Sequence, residues 1–166
     1  MQPLAVEPLT ASAFAPFGHV VTSDTVAPLA INQGFASRWN DISAVDVAED
    51  GGRVQVCLFE ATPRPATIAI EMMERHPLGS QMFYPLQDRP WLVVVCGEPL
   101  VSSSYRAFRA TGRQGIGYSR NVWHHPLLVL DGESRFIVVD RAGPGSNLEE
   151  VWLPAAQKRA LRDIAS

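Results

Sequence analysis

The sequence predicts a single, mostly β domain of the sandwich or small-barrel type. Short runs rich in Val, Ile and aromatic residues recur through residues 53–141 at intervals of about 8–12 residues, separated by turn residues. Thirteen Pro and twelve Gly in 166 residues divide the chain too often for a bundle of long helices. With 46% hydrophobic and 19% charged residues, the chain has enough apolar surface to bury a core and is unlike a disordered one.

Along the chain, Thr10 is placed to cap a short helix over Ala11–Phe17, ended by Gly18 and followed by a strand at His19–Thr22. Residues 31–40 mix Asn, Gln, Gly, Arg and Trp without a period and read as irregular, and Asp50-Gly51-Gly52 is a turn signal. Strands are expected at Val54–Ala61, Thr67–His76, Gln81–Leu86 and Trp91–Cys96, then at Ser103–Ala110, Ile116–Tyr118, Val122–Leu130 and Arg135–Arg141. Pro63-Arg64-Pro65, Pro77-Leu78-Gly79, Thr111-Gly112 and Asp131-Gly132-Glu133 are among the breaks. The end, Pro154–Ala165, reads as a short helix with Pro154 in its first turn. No repeat or linker interrupts residues 1–166, which form one domain.

A formal net charge of −3 gives no general attraction to nucleic acid or anionic lipid, so neither is expected as a partner. No stretch approaches the roughly 20 apolar residues that span a bilayer, and the first residues lack the basic start and apolar core of a secretion signal. Cys57 and Cys96 sit inside apolar runs and read as small buried hydrophobes in a reducing compartment, so a cytoplasmic protein is expected. Gly112–Gly117 lacks the features of a phosphate loop, and the serines at 102–104 lack a nucleophile elbow.

Strand alternation picks out the chemistry. In the run ending at His76, Ile68, Ile70, Met72, Glu74 and His76 share one side, whereas Thr67, Ala69, Glu71, Met73 and Arg75 make the wetter side. The apolar side faces the core, so a carboxylate and an imidazole end an inward face, where unpartnered polar groups are costly. A hairpin through Pro77-Leu78-Gly79 would return Gln81 beside them. The second cluster is Tyr118-Ser119-Arg120-Asn121-Val122-Trp123-His124-His125-Pro126, in which only one histidine can point inward and parity does not choose which. Asn121 tolerates a left-handed turn. His19 has no partner at ligand spacing and reads as structural or exposed.

Glu74-x-His76, with Gln81 five residues on, has the spacing of the first motif of the cupin superfamily, but Glu and Gln replace its first His and its Glu. His124 sits where the second motif has its single His, and Asn121 stands in place of a glycine. The usual three-histidine site is therefore absent, leaving Glu74, His76 and His124 with Gln81 adjacent. More specifically, Glu74–Phe83, Arg120–Leu127 and Val139-Asp140-Arg141 resemble the ureidoglycolate lyase family. The likeness extends through Ile31-Asn32-Gln33-Gly34 with Arg38, and through Arg106-Ala107-Phe108 with Gly115.

That resemblance implies a cupin-like small β-barrel (a double-stranded β-helix, or jelly roll) with a few short helices at the termini. It also implies a cytoplasmic homodimer in allantoin and purine breakdown that cleaves (S)-ureidoglycolate to glyoxylate and urea. A divalent metal is implied for some members, nickel favoured. On this basis Glu74, His76 and His124 are the expected catalytic residues and metal ligands. Asn32, Arg38, Gln81 and Arg120 are the expected substrate-binding residues, one of the arginines receiving the carboxylate. Either histidine can serve as acid or base. The alternatives are a non-catalytic cupin that binds a small carboxylic acid or sugar, a metal-dependent cupin oxygenase or isomerase, and a structural dimer-forming domain.

Overall fold

Trp91–Cys96 is buried along its whole length, which requires apolar layers on both of its faces. A computed structural model describes residues 1–65, 67–162 and 164. Its elements begin with β1 (Gln2–Pro8), helix α1 (Ala11–Phe14), β2 (Gly18–Val21), β3 (Leu29–Ile31) and β4 (Ala36–Arg38). They continue through β5 (Arg53–Ala61), β6 (Ala69–Ile70), β7 (Met72–Arg75), β8 (Gln81–Pro85), β9 (Trp91–Cys96) and β10 (Tyr105–Ala110). The last are β11 (Gly115–Tyr118), β12 (Trp123–His124), β13 (Leu128–Val129), β14 (Ser134–Ala142), β15 (Glu149–Trp152) and β16 (Arg159–Arg162).

A nine-stranded sheet runs β15-β7-β12-β9-β10-β1-β16-β6, with β13 also on β9, and a five-stranded sheet runs β2-β11-β8-β14-β5. The two curl into a half-barrel, which bears out the mainly β, small-barrel expectation. Between the sheets lies an aromatic-rich core that includes Phe14, Phe83, Trp91, Phe108, Tyr118 and Phe136. Behind the larger sheet a second core gathers Ile68, Ile70, Met73, Leu92, Val94, Cys96, Trp123 and Leu153. Alternation along β9 sends Trp91, Val93 and Val95 to the first core and Leu92, Val94 and Cys96 to the second.

The second core corrects the side-chain parity expected for Thr67–His76. The run breaks at Glu71 into β6, which pairs with β16, and β7, which pairs with β12 and β15. The break shifts the alternation, so Met73 joins Ile68 and Ile70 in the rear core and is fully buried rather than wet. Nor do β7 and β8 form a hairpin: Pro77-Leu78-Gly79 carries the chain from one sheet to the other. The expected strand Val122–Leu130 is likewise split, because Pro126 has no N–H to offer β9.

The terminal helices differ from expectation. Thr10 Oγ1 accepts the Ala13 N–H at 3.2 Å as a cap, but α1 stops at Phe14, ahead of Pro16. Residues 159–162, expected to be helical, form β16, parallel to β1 and antiparallel to β6. Burial of Ala160 and Leu161 in the sheet overrides local helix preference; Ala165 of that expected helix lies outside the described residues. The irregular segment 31–40 contains a turn between β3 and β4, which among the described residues pair only with each other.

Gly18 has φ +147°, and a Cβ there would lie 1.9 Å from the Gly117 carbonyl oxygen across the β2–β11 pair. Gly18→Ala is expected to lower Tm by roughly 5–15 °C, measured by calorimetry.

Candidate active site

Cross-strand register builds the site. Glu74 of β7 is paired with His124 of β12, and Tyr118 of β11 with Gln81 of β8. The Asn121 N–H donates to the His76 carbonyl at 2.9 Å, joining the two motif turns, and Asn121 takes the left-handed conformation at φ 68°. Both histidines are buried, against the expectation that only one would enter: His124 meets Glu74, and His125, just past the end of β12, lines the same small pocket. Trp123, on the other side of His124, enters the rear core, where the Arg75 guanidinium lies 4.5 Å from the Trp123 ring centroid.

Ligand atoms of Glu74, His76 and His124 all lie within 4.8 Å of one another. His124 Nε2 is 3.5 Å from Glu74 Oε1, and the two imidazole centroids are 5.2 Å apart. His76 Nδ1 lies 2.7 Å from the Asn147 carbonyl and His124 Nδ1 lies 2.9 Å from the Val122 carbonyl. A carbonyl accepts only, so both Nδ1 atoms carry a proton and each ring turns its Nε2 toward the cluster. Those Nε2 atoms are buried without a protein partner. The Tyr118 ring stacks on His124 with centroids 4.1 Å apart and fixes its plane.

Burial pushes the Glu74 carboxyl up, but its hydrogen bond to His124 and the histidine charges around it bring it below the usual carboxylate range. Burial lowers His76 and takes His125 down to about 4, so neither favours the charged form at neutral pH. Burial pushes the Tyr118 phenol up.

His76 and Gln81 line one cavity of about 310 Å³ together with Ser80, Asp140, Arg141 and Asn147. Glu74 and His124 lie deeper, against a pocket of about 10 Å³ walled by Phe83, Trp91 and Tyr118. A larger recess, about 470 Å³, opens at the opposite end of the five-stranded sheet, but it brings together no His or Cys. Volume therefore does not decide the site; the converging donors do.

The other expected binding residues are placed differently. Arg120 binds Asp46 through Nε and Nη2 and Glu49 through Nη1, at 3.2, 2.6 and 2.8 Å, so its donors are committed within the chain. Asn32 and Arg38 are exposed on the β3–β4 hairpin and do not line the cavity beside His76. His19 is structural, accepting the Ala44 N–H at 3.2 Å. Asp140 and Arg141 were given no role by residue-level reading. Yet Phe136 and Val138 are fully buried, so alternation along β14 brings Asp140 to the inward face at the strand's end, as it does Glu74.

The cluster suits a divalent ion. Two imidazoles oriented through Nδ1–H to backbone carbonyls, with Nε2 free, and one carboxylate are the donor types and the supporting contacts such ions require.

A family model described as ureidoglycolate lyase matches residues 1–159. The chain belongs to the ureidoglycolate lyase family. It is 50% identical over 155 residues to the ureidoglycolate lyase of Burkholderia mallei (strain NCTC 10229), covering 93% of this chain and 91% of the relative. Identity to ureidoglycolate lyase 1 of Rhizobium meliloti (strain 1021) is 51% over 154 residues, covering 89% and 87%. With the enzyme of Pseudomonas entomophila (strain L48) it is 43% over 163 residues, covering 97% and 98%. A Bacillus subtilis oxalate decarboxylase structure with Mn(II) centres aligns at 14% identity and TM-score 0.40, covering 89% of this chain and 30% of that one. That likeness is too distant to inform the chemistry.

Because Arg120 ties residues 46–49 to the turn before β12, Arg120→Ala is expected to lower Tm by a few degrees at low salt and by less at high salt.

Proposed function

We propose that this protein cleaves (S)-ureidoglycolate to glyoxylate and urea, and that Glu74, His76 and His124 carry the reaction. The observation that carries the reading is the convergence of one carboxylate and two imidazole Nε2 atoms, in a chain that belongs to this family. The substrate carbon bears a hydroxyl, a carboxylate and a urea nitrogen. Cleavage breaks the O–H bond, forms C=O, breaks C–N and forms N–H, consuming no water. One group must accept a proton while another gives one.

His76 borders the open cavity with a neutral, lone-pair-bearing Nε2, so it accepts the hydroxyl proton. His124, protonated at Nε2 beside the Glu74 carboxylate 3.5 Å away, gives that proton to the leaving nitrogen. A divalent ion held by Glu74, His76 and His124 would occupy the same Nε2 atoms, and would supply Lewis acidity toward the hydroxyl in place of their proton transfers. The family resemblance favours nickel. A non-catalytic acid- or sugar-binding role is less well supported, since it has no need of two buried, convergent imidazoles.

Glyoxylate release from (S)-ureidoglycolate tests this directly. His76→Ala and His124→Ala are each expected to lower turnover by about a hundredfold with Tm nearly unchanged. The acid limb of the rate profile should lie below pH 6.5, the ordinary imidazole value from which burial lowers His76. Wild-type turnover in both variants would rule out this machinery. Chelation followed by reloading with single metals identifies any ion required.

The reading includes a cytoplasmic homodimer acting in allantoin and purine breakdown. The long edge strand β5 supports the dimer: Val54, Val56 and Leu58 are 50%, 65% and 55% exposed on its outer face. Register continues this apolar surface through Ile137 and Val139 to Tyr84 and Met82. A second copy related by two-fold symmetry would cover such an edge. The protruding β3–β4 hairpin, with Phe35 92% exposed, would then deliver Asn32 and Arg38 to the partner's cavity, where Arg38 receives the carboxylate.

Mixing Arg38→Ala with His124→Ala tests both halves. The mixture is expected to regain part of the wild-type activity through hybrid dimers, and Val56→Lys with Leu58→Lys to sediment as a monomer. No recovery in a confirmed heterodimer would place Arg38 outside the shared site.

A further inference from the structure

Gln81 and Asp140 bring oxygen acceptors to the cavity that His76 lines. Gln81 Oε1 and Asp140 Oδ1 are both buried and have no protein partner, and both residues line the cavity that His76 enters. The Gln81 amide lies near the Asp140 carboxylate and favours its charged form against the burial that raises its pKa, and one oxygen of each group is left unbound. Among the described residues Asp140 has no ion-pair partner, and the guanidinium of neighbouring Arg141 is bonded to the carbonyls of Glu49 and Asp50.

Two ordinary roles for such a carboxylate do not fit. Asp140 is not the group that orients His76, because His76 Nδ1 already donates to the Asn147 carbonyl. Nor does it belong to the cluster of convergent ligand atoms, which consists of Glu74, His76 and His124. What remains is a pair of fixed oxygen acceptors, one of them anionic, facing into the cavity. Leaving buried acceptors unpaired costs free energy, and a ligand bearing N–H groups removes that cost.

We propose that Asp140 and Gln81 form a clamp for the terminal ureido group, each accepting one of its N–H donors. This rests on the ureidoglycolate reading and adds an orientation to it. The ureido end lies against Asp140 and Gln81, and the substrate carboxylate, repelled by the Asp140 charge, points away from them. The clamp also selects: a 2-hydroxy acid with no N–H group leaves both acceptors unpaired and is rejected, because a site built for hydrogen bonding discriminates against analogues that lack the partner.

Ureidoacetate, the substrate without its hydroxyl, keeps the ureido and carboxylate groups but has no carbinolamine to collapse. Its affinity and that of glyoxylate, which has no N–H, are measured by calorimetry on the wild type, Asp140→Asn and Gln81→Leu, with thermal melts to confirm folding. Each variant is expected to bind ureidoacetate roughly tenfold or more weakly, as for loss of a charge-assisted or buried hydrogen bond, and glyoxylate within about twofold of wild type. Equal weakening of both ligands, or none, in a folded variant overturns the clamp. If the wild type still releases glyoxylate from ureidoglycolate, only the clamp fails. If the wild type neither cleaves ureidoglycolate nor binds ureidoacetate, the functional reading fails with it.

Discussion

The burial of β9 on both faces is the constraint from which the rest follows. A six-residue strand with no side to solvent needs a layer in front and a layer behind. The front layer is the aromatic core shared with the five-stranded sheet, and the rear one is closed by β6, β16 and Leu153. β12 takes its register from β9 through Trp123 opposite Cys96 and His124 opposite Val95. Burying Trp123 behind the sheet therefore turns His124 to the front, and the next pairing along, with β7, sets Glu74 beside it. The direction of His124 toward Glu74 is thus set by a tryptophan on the other side of the sheet.

Much of this was legible in the sequence, because patterning and turn chemistry are local. The runs that became β5, β8, β9, β10, β11 and β14 alternate or are uniformly apolar and are bounded by Pro, Gly or Asp, so their positions could be read directly. Asn121 could be read as a left-handed residue for the same reason. β1, β15 and β16 could not. β1 carries Pro3 and Pro8, and residues 159–162 have no strand period; these segments are strands because a distant partner offers a free edge. Pairing between residues 2 and 159 leaves no mark in either local sequence.

The site divides along the same line. Glu74 and His76 stood out as polar groups ending an apolar run, though the bend at Glu71 means that the parity used to find them does not hold along the whole run. That Arg120 is engaged by Asp46 and Glu49 could not be read from sequence, since both partners lie more than seventy residues away. Asp140 obeys the rule that exposed Glu74, but a polar residue at the end of an apolar run is ordinary, and only the buried course of β14 shows that it points inward. In the structure Arg141 is 7% exposed and packs against Gly79 and Gly52.

The two-layered strand β7 also bears on how such a protein diverges. Met73 is fully enclosed behind the sheet, and the very next residue, Glu74, belongs to the carboxylate–imidazole cluster in front. Close-packed interiors pass on small displacements rather than absorbing them. A methylene gained or lost among the rear-facing neighbours of Met73 therefore shifts a carboxylate that those neighbours never touch. Drift in that hidden layer would register first as altered turnover, before any loss of folding, and the rear layer should accordingly vary less among active homologues than its distance from the chemistry implies.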